Sequence, residues 1–360
     1  MSPDEFAEIL TFDGEFMQES FARWSLAGRS LPAVSFVGCG FEGADFTGAR
    51  LDATVFVQCR FAGARFDRAV VESVRFVDCD LAGVSFAGST MGESSFVKCD
   101  LAGASFAGAV LDHLTVATGN LEGASFAGAT ITRSAIMEAG FRRCDLTGAN
   151  LEMLLVTSAD LRECAIEGLR MESVMLMEAQ MDGLDLSRRS VARCNLMRSS
   201  MVGVDFSGSD LTQTLFQEAK LSDADFTGAR APMGLFVKAD LTRAAMSGMD
   251  LSFGIFDGAT LDGAVLDGSR MELAQLKSVS AKGTRFRGAD LTNADASHAD
   301  LTAVDMAGAN VYRLNLHAAT FRPIATGSGQ ATTLGTDEDR AVAELYDPIA
   351  VDRRLRGRQE

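Results

Sequence analysis

The chain has 360 residues, a formal net charge of −16 and 47% hydrophobic residues, with 35 Gly and 24 Phe against one Trp and two Tyr. An acidic balance speaks against nucleic acid as a direct ligand, and no apolar run reaches the roughly 18–20 residues of a membrane-spanning helix, so no membrane association is expected. Nothing at the N-terminus joins a basic segment to an apolar one, so no secretory signal is expected and the cytoplasm is the default address.

Residues 1–23 read as an N-terminal helical cap. Ser2 and Glu5 have capping-box spacing, Pro3 takes the first helical position, and Phe6, Ile9 and Leu10 follow as an apolar face. Phe12, Phe16 and Phe21 extend that cover over whatever comes next.

What comes next has a strict period. From Leu26 to Phe321 every fifth residue is apolar, 60 positions without exception, of which 49 are Leu, Phe or Met. Against a 47% apolar background chance does not produce such a run. A period of five is neither helical nor a strand alternation, and it requires a backbone that turns a corner every five residues. Two residues before each apolar centre sits a small or aliphatic residue, as in Ala44, Asp45, Phe46, Thr47 and Gly48.

This pattern resembles the pentapeptide-repeat family. The resemblance covers residues 24–322 and implies an all-β, right-handed quadrilateral β-helix in which four pentapeptides make one square coil. Its 60 pentapeptides would form 15 coils. At the ordinary inter-strand spacing of ~4.8 Å they make a rod of roughly 70 Å. Each coil buries its apolar residues only against its neighbours.

In such a rod, residues twenty apart lie above one another. Cys39, Cys59, Cys79 and Cys99 then form a column in the inward small-residue slot, where Cys144, Cys164 and Cys194 also sit. Sulfurs in a line ~4.8 Å apart cannot surround a tetrahedral ion with bonds of about 2.3 Å, so buried thiols are expected and no metal or cofactor. Disulfides between adjacent coils are within reach, but a reducing compartment opposes them.

Some bacterial members of the family imitate DNA in charge and shape and bind DNA gyrase. Here the two ends carry −6 of the −16, leaving −10 on the ladder. Much of that is Asp at the repeat's second position, including Asp45, Asp80, Asp100, Asp145, Asp160, Asp205, Asp225 and Asp240, where it is structural by default. Arg60, Arg65, Arg142, Arg143, Arg162 and Lys220 interrupt those faces, so a continuous phosphate-like stripe is not expected. A DNA-mimicking gyrase binder is the alternative reading.

One face departs from the pattern where it should be polar. Beside its central residues stand Val37, Val57, Val77, Val97, Met137, Met177, Met197 and Val237 on one side. Val55, Leu155, Met175, Leu215, Leu235 and Ile255 stand on the other, and Met153, Met233, Phe253 and Leu273 occupy the adjoining corner. A continuous exposed apolar strip marks an interface, and its mixture of Met and aliphatic residues suits a partner surface that adapts its packing. A homodimer contact and a cover by the protein's own tail are the competing explanations.

Residues 323–360 read as a separate tail. A Gly/Ser/Thr-rich linker over 326–335 leads to a short helix candidate over 337–347, which Pro348 ends, and then to Arg353, Arg354, Arg356 and Arg358. Val342, Leu345, Tyr346 and Ile349 would make a tethered docking motif if the segment is not simply solvated.

No catalytic constellation stands out. His113, His298 and His317 are expected on outward positions several coils apart or on different faces, and glycines such as Gly48, Gly108 and Gly148 recur at the corner rather than in a phosphate-binding loop. The expected function is a non-enzymatic protein-binding scaffold or adaptor. Its overall pattern is similar to pentapeptide proteins that accompany type VI secretion systems, which implies a role in effector loading.

Overall fold

A computed structural model of the chain describes residues 14–31, 33–328 and 332–344. Residue i pairs in parallel with residue i+20 from Glu15↔Ser35 through Asn310, whose partner Ser328 belongs to the final coil. The result is an all-β parallel solenoid of about 15 turns, as the five-residue period demands. Two adjacent faces carry short strands in the first half. One eight-stranded parallel sheet runs from Glu15–Met17 to Leu155–Val156, and the second from Ser30–Leu31 to Arg170–Glu172. Beyond residue 175 the same register continues mainly as single bridges, with one further strand pair, Asp300–Thr302 and Thr320–Arg322.

The apolar centres fill a single core along the rod. Phenylalanines twenty apart stack face to face. Phe36, Phe56, Phe76 and Phe96 have successive centroid separations of 5.1, 5.0 and 4.8 Å, and Phe216, Phe236 and Phe256 repeat this at 4.9 and 4.8 Å. The coil rise sets that distance, and each pair adds about 0.5–1.5 kcal/mol beyond the area it buries.

Two residues after nearly every centre, the corner residue adopts left-handed φ, and there its N–H bonds to a carbonyl of the next coil, as from Gly48 to Asp67 at 2.8 Å. Glycine answers this need without strain, but among the described residues 24 such corners hold Gly and 35 do not. The repeat therefore tolerates a backbone cost of roughly 1–2 kcal/mol at a non-glycine corner. The consensus Asp helps to fix the turn: Asp45 Oδ1 accepts the Thr47 N–H at 2.9 Å, and Asp205 Oδ1 that of Ser207 at 2.7 Å.

Both ends differ from the sequence expectation. Phe16 stacks on Phe36 at 5.2 Å and Phe21 on Phe41 at 5.0 Å, so these two rings belong to the core rather than to a cover over it. Pairing thus begins at Glu15, ahead of the expected boundary at residue 24. Phe6, Ile9, Leu10, Phe12 and the expected capping helix fall outside the described residues. At the other end Asp305 pairs with Ala325, Asn310 with Ser328 and Asn315 with Leu334. The expected linker is thus in part a last coil held by its backbone. A helix, Glu338–Glu344, follows, with Asp337 Oδ1 accepting the Arg340 N–H at 3.0 Å as its N-cap.

Candidate functional site

The apolar positions of the anomalous face lie on one side of the rod but not in one strip. Val37, Val57, Val77 and Val97 are in register, half-buried, each the last residue of a three-residue strand. Met17 extends this group outward. His113, Thr115 and Ala117 then break it. Met137, Met153, Leu155, Met175, Met177 and Met197 make a middle group, ended by Arg193 and Asn195. Bridges next carry Leu215 to Leu235 and Leu235 to Ile255, with Val237 half-buried beside them.

The third group has a feature the others lack. Met233, Phe253 and Leu273 stand on three successive corners with φ of +58, +60 and +58° and exposures of 49, 55 and 47%. Their N–H groups donate to Ser252, Glu272 and Thr292, which keeps the three coils in register. At ~4.8 Å per coil they form a ridge about 10 Å long. The left-handed φ is shared with most other non-glycine corners, which are largely polar; what sets these three apart is a large apolar side chain about half in water on each of three successive coils. Met153 has the same geometry, at φ +52° and 55% exposure, but Ser173 follows it on the next corner.

The histidines are not placed as expected. His113 is exposed and lies 3.2 Å from Asp112, but His298 and His317 come together, their rings 5.4 Å apart and edge to face. Glu344 from the C-terminal helix bridges them, its Oε2 lying 3.1 Å from His298 Nε2 and 3.2 Å from His317 Nε2. These two positions are nineteen apart, one short of the coil repeat, and the third member lies outside the repeat.

The trio has the residue types of a metal site, with its ligand atoms within 4.8 Å of one another. The hydrogen bonds give it another role. The Asp337 N–H donates to His317 Nδ1 at 3.1 Å, which places the ring proton on Nε2, facing Glu344. A cation on that nitrogen would have to displace the proton and break the Asp337 bond. The hydrogen bonds from His317 and Arg340 hold the Glu344 carboxyl below the usual glutamate range. The trio is a latch. It fastens the helix over His317, which is 2% exposed, and the fully buried Ser297 lies one coil back on the same face. Of the expected tail motif, Val342 lies in this helix, while Leu345, Tyr346 and Ile349 fall outside the described residues.

The cysteines are free and buried. Cys39, Cys59, Cys79 and Cys99 each point Sγ at a carbonyl of the preceding coil at 3.3–3.4 Å, and burial pushes the Cys194 thiol up to about 11. A groove of about 460 Å³ at Asn150, Met171, Glu172, Arg188, Arg189 and Ser190 contains no nucleophile paired with a base. On the acidic faces several of the interrupting arginines pair locally, Arg65 with Asp67 at 2.6 Å, Arg142 and Arg162 with Asp160 at 3.5 and 2.8 Å, and Arg143 with Glu163 at 2.8 Å. No helix among the described residues is long and apolar enough to cross a membrane.

Comparison with known proteins agrees with this architecture. A pentapeptide repeat region model matches residues 29–106, and an eight-copy pentapeptide repeat model matches 120–152, 194–230, 219–252, 255–293 and 284–322. Among solved structures, a pentapeptide repeat protein from the thylakoid lumen of Arabidopsis thaliana is 36% identical over 25% of this chain and 63% of its own, with a TM-score of 0.25. HetL, a pentapeptide repeat protein involved in heterocyst differentiation regulation in the cyanobacterium Nostoc, is 20% identical over 68% of this chain and 96% of its own, with a TM-score of 0.27. QnrB1, a plasmid-mediated fluoroquinolone resistance protein, is 22% identical over 58% of this chain and 90% of its own, with a TM-score of 0.32. No curated protein matches the chain.

Proposed function

Because the chain belongs to the pentapeptide-repeat family, we propose that it is a non-enzymatic scaffold that receives a protein partner on the C-terminal half of its anomalous face. The ridge of Met233, Phe253 and Leu273 carries this reading, since three large apolar side chains stand exposed on successive coils at corners that elsewhere hold glycine or mostly polar residues. Leu235, Ile255 and Val237 extend the apolar surface beside it, and together they offer a partner a rigid, adaptable anchor. The specific form of the proposal is an adaptor that loads an effector in type VI secretion. Secretion genes beside this one would support that form.

The test is capture from the source lysate by the intact protein and by a Met233→Asp, Phe253→Asp, Leu273→Asp variant, compared by isotope ratio. A partner held by the native chain should be lost from the variant, while sedimentation and circular dichroism show the fold unchanged. Equal recovery of every partner would remove the ridge from the account, and a variant that turns from dimer to monomer would assign the surface to a homodimer instead.

One observation favours the gyrase-binding alternative: Asp185, Asp205 and Asp225 stack in register without an intervening cation. A gyrase supercoiling assay separates the two readings, because inhibition that survives the ridge substitutions belongs to the acidic face.

A further inference from the structure

We infer that the C-terminal arm, residues 345–360, is the resident occupant of the ridge, lying along it within the same chain and yielding when a partner binds. The inference rests on the ridge being an interaction surface. It adds a competitor built into the chain.

The root of the arm fixes its starting point. The C-terminal helix begins over the last coil, where the Thr336 hydroxyl accepts the Ala318 N–H at 3.3 Å and the Asp337 N–H reaches His317. Its final residue, Glu344, is held by His298, one coil further back. His317 and Ser297 occupy the same outward column as Val237. The chain therefore leaves Glu344 already on the anomalous face, at the end nearest the ridge.

Reach then limits where it can go. Leu273, Phe253 and Met233 lie one, two and three coils from the coil of His298, about 5, 10 and 14 Å along the rod, on the corner at the opposite edge of the same face. Leu345, Tyr346 and Ile349 are the first, second and fifth residues after Glu344, so an extended chain carries the last of them about 17 Å. That reach takes in the ridge. Val97 is ten coils away, about 48 Å, far beyond it.

The full-length chain carrying p-benzoylphenylalanine in place of Tyr346 tests this without any partner. It is photolysed at low concentration as an equal mixture of light and heavy-nitrogen protein, and the cross-linked peptides are read by mass spectrometry. Cross-links within one chain should fall on residues 233–273 and exceed those on 37–97 by on the order of tenfold, because tethering raises the local concentration only within reach. Glu344→Ala should reduce them several-fold by releasing the root. Mixed light and heavy pairs would place a second copy on the ridge, and an absent or scattered pattern would leave the ridge without its arm; either overturns the inference. Ridge-dependent partner capture with no cross-link within the chain would overturn the arm alone and leave the scaffold reading standing.

Discussion

The two ends of the anomalous face carry equally apolar residues for different physical reasons. Val37, Val57, Val77 and Val97 end short strands, are half-buried and pair directly across coils, where β-branched side chains pack well on a pleated surface. Met233, Phe253 and Leu273 stand on left-handed corners, half in water, where each costs stability. Valines in strands need no explanation beyond the fold. Large apolar side chains half in water, on corners that elsewhere hold glycine or mostly polar residues, do, and this is why the candidate surface contracts from the whole face to its C-terminal half.

Beneath both ends the rod is the same, and the largest expected effect shows it. Phe76→Ala and Phe236→Ala each open a Phe stack, and each should lose about 3–5 kcal/mol in denaturant unfolding. Similar losses would confine the difference between the ends to the surface; a much smaller loss at Phe236 would mean that the ridge sits on a softer core. Next in size, Val57→Asp and Val77→Asp should each cost about 1 kcal/mol with no change in partner capture. A loss of capture from either would return the valines to the interface.

Phe253→Gly should move stability by no more than about 1 kcal/mol, because relief of the corner offsets the added freedom of the unfolded chain. A clear destabilisation would show that the ring packs in a way its exposure does not suggest.

The smallest effect concerns the latch. The folded-state pKa of Glu344 is lowered by its bonds to His317 and Arg340, so its contribution is present above the ordinary glutamate pKa of about 4.3 and is lost as pH falls through the lower folded value. Hydrogen exchange at the Asp337 amide should therefore rise below about pH 4, and Glu344→Gln should remove that acid step. An acid step that persists in Glu344→Gln would assign the titration to another group.

The repeat, the coil and the core were legible in the sequence because a five-residue period has no other structural solution. Phe16 and Phe21 were legible too, since they continue the period backward from Leu26, and assigning them to a lid overlooked that register. The final coil was not legible. Ala325, Ser328 and Leu334 pair through their backbones, which leaves no side-chain period to read. The His298, His317 and Glu344 latch was hidden for a related reason, because its spacing of nineteen and its tail residue both lie off the repeat. For the surface, the sequence already placed Val237 beside a central residue and Met233, Phe253 and Leu273 on the adjoining corner, but not how far each side chain stands in water; the exposures make that distinction.

The central claim is that the corners, not the strand valines, hold the partner. The most direct test captures partners side by side on the native chain, on the Met233→Asp, Phe253→Asp, Leu273→Asp variant, and on a variant with Val37, Val57, Val77 and Val97 changed to Thr. The account expects the corner variant to weaken binding by about 30-fold or more, the loss of a 2 kcal/mol hot spot, and the threonine variant to bind as the native chain does. Equal binding by all three, or loss only in the threonine variant, would contradict it.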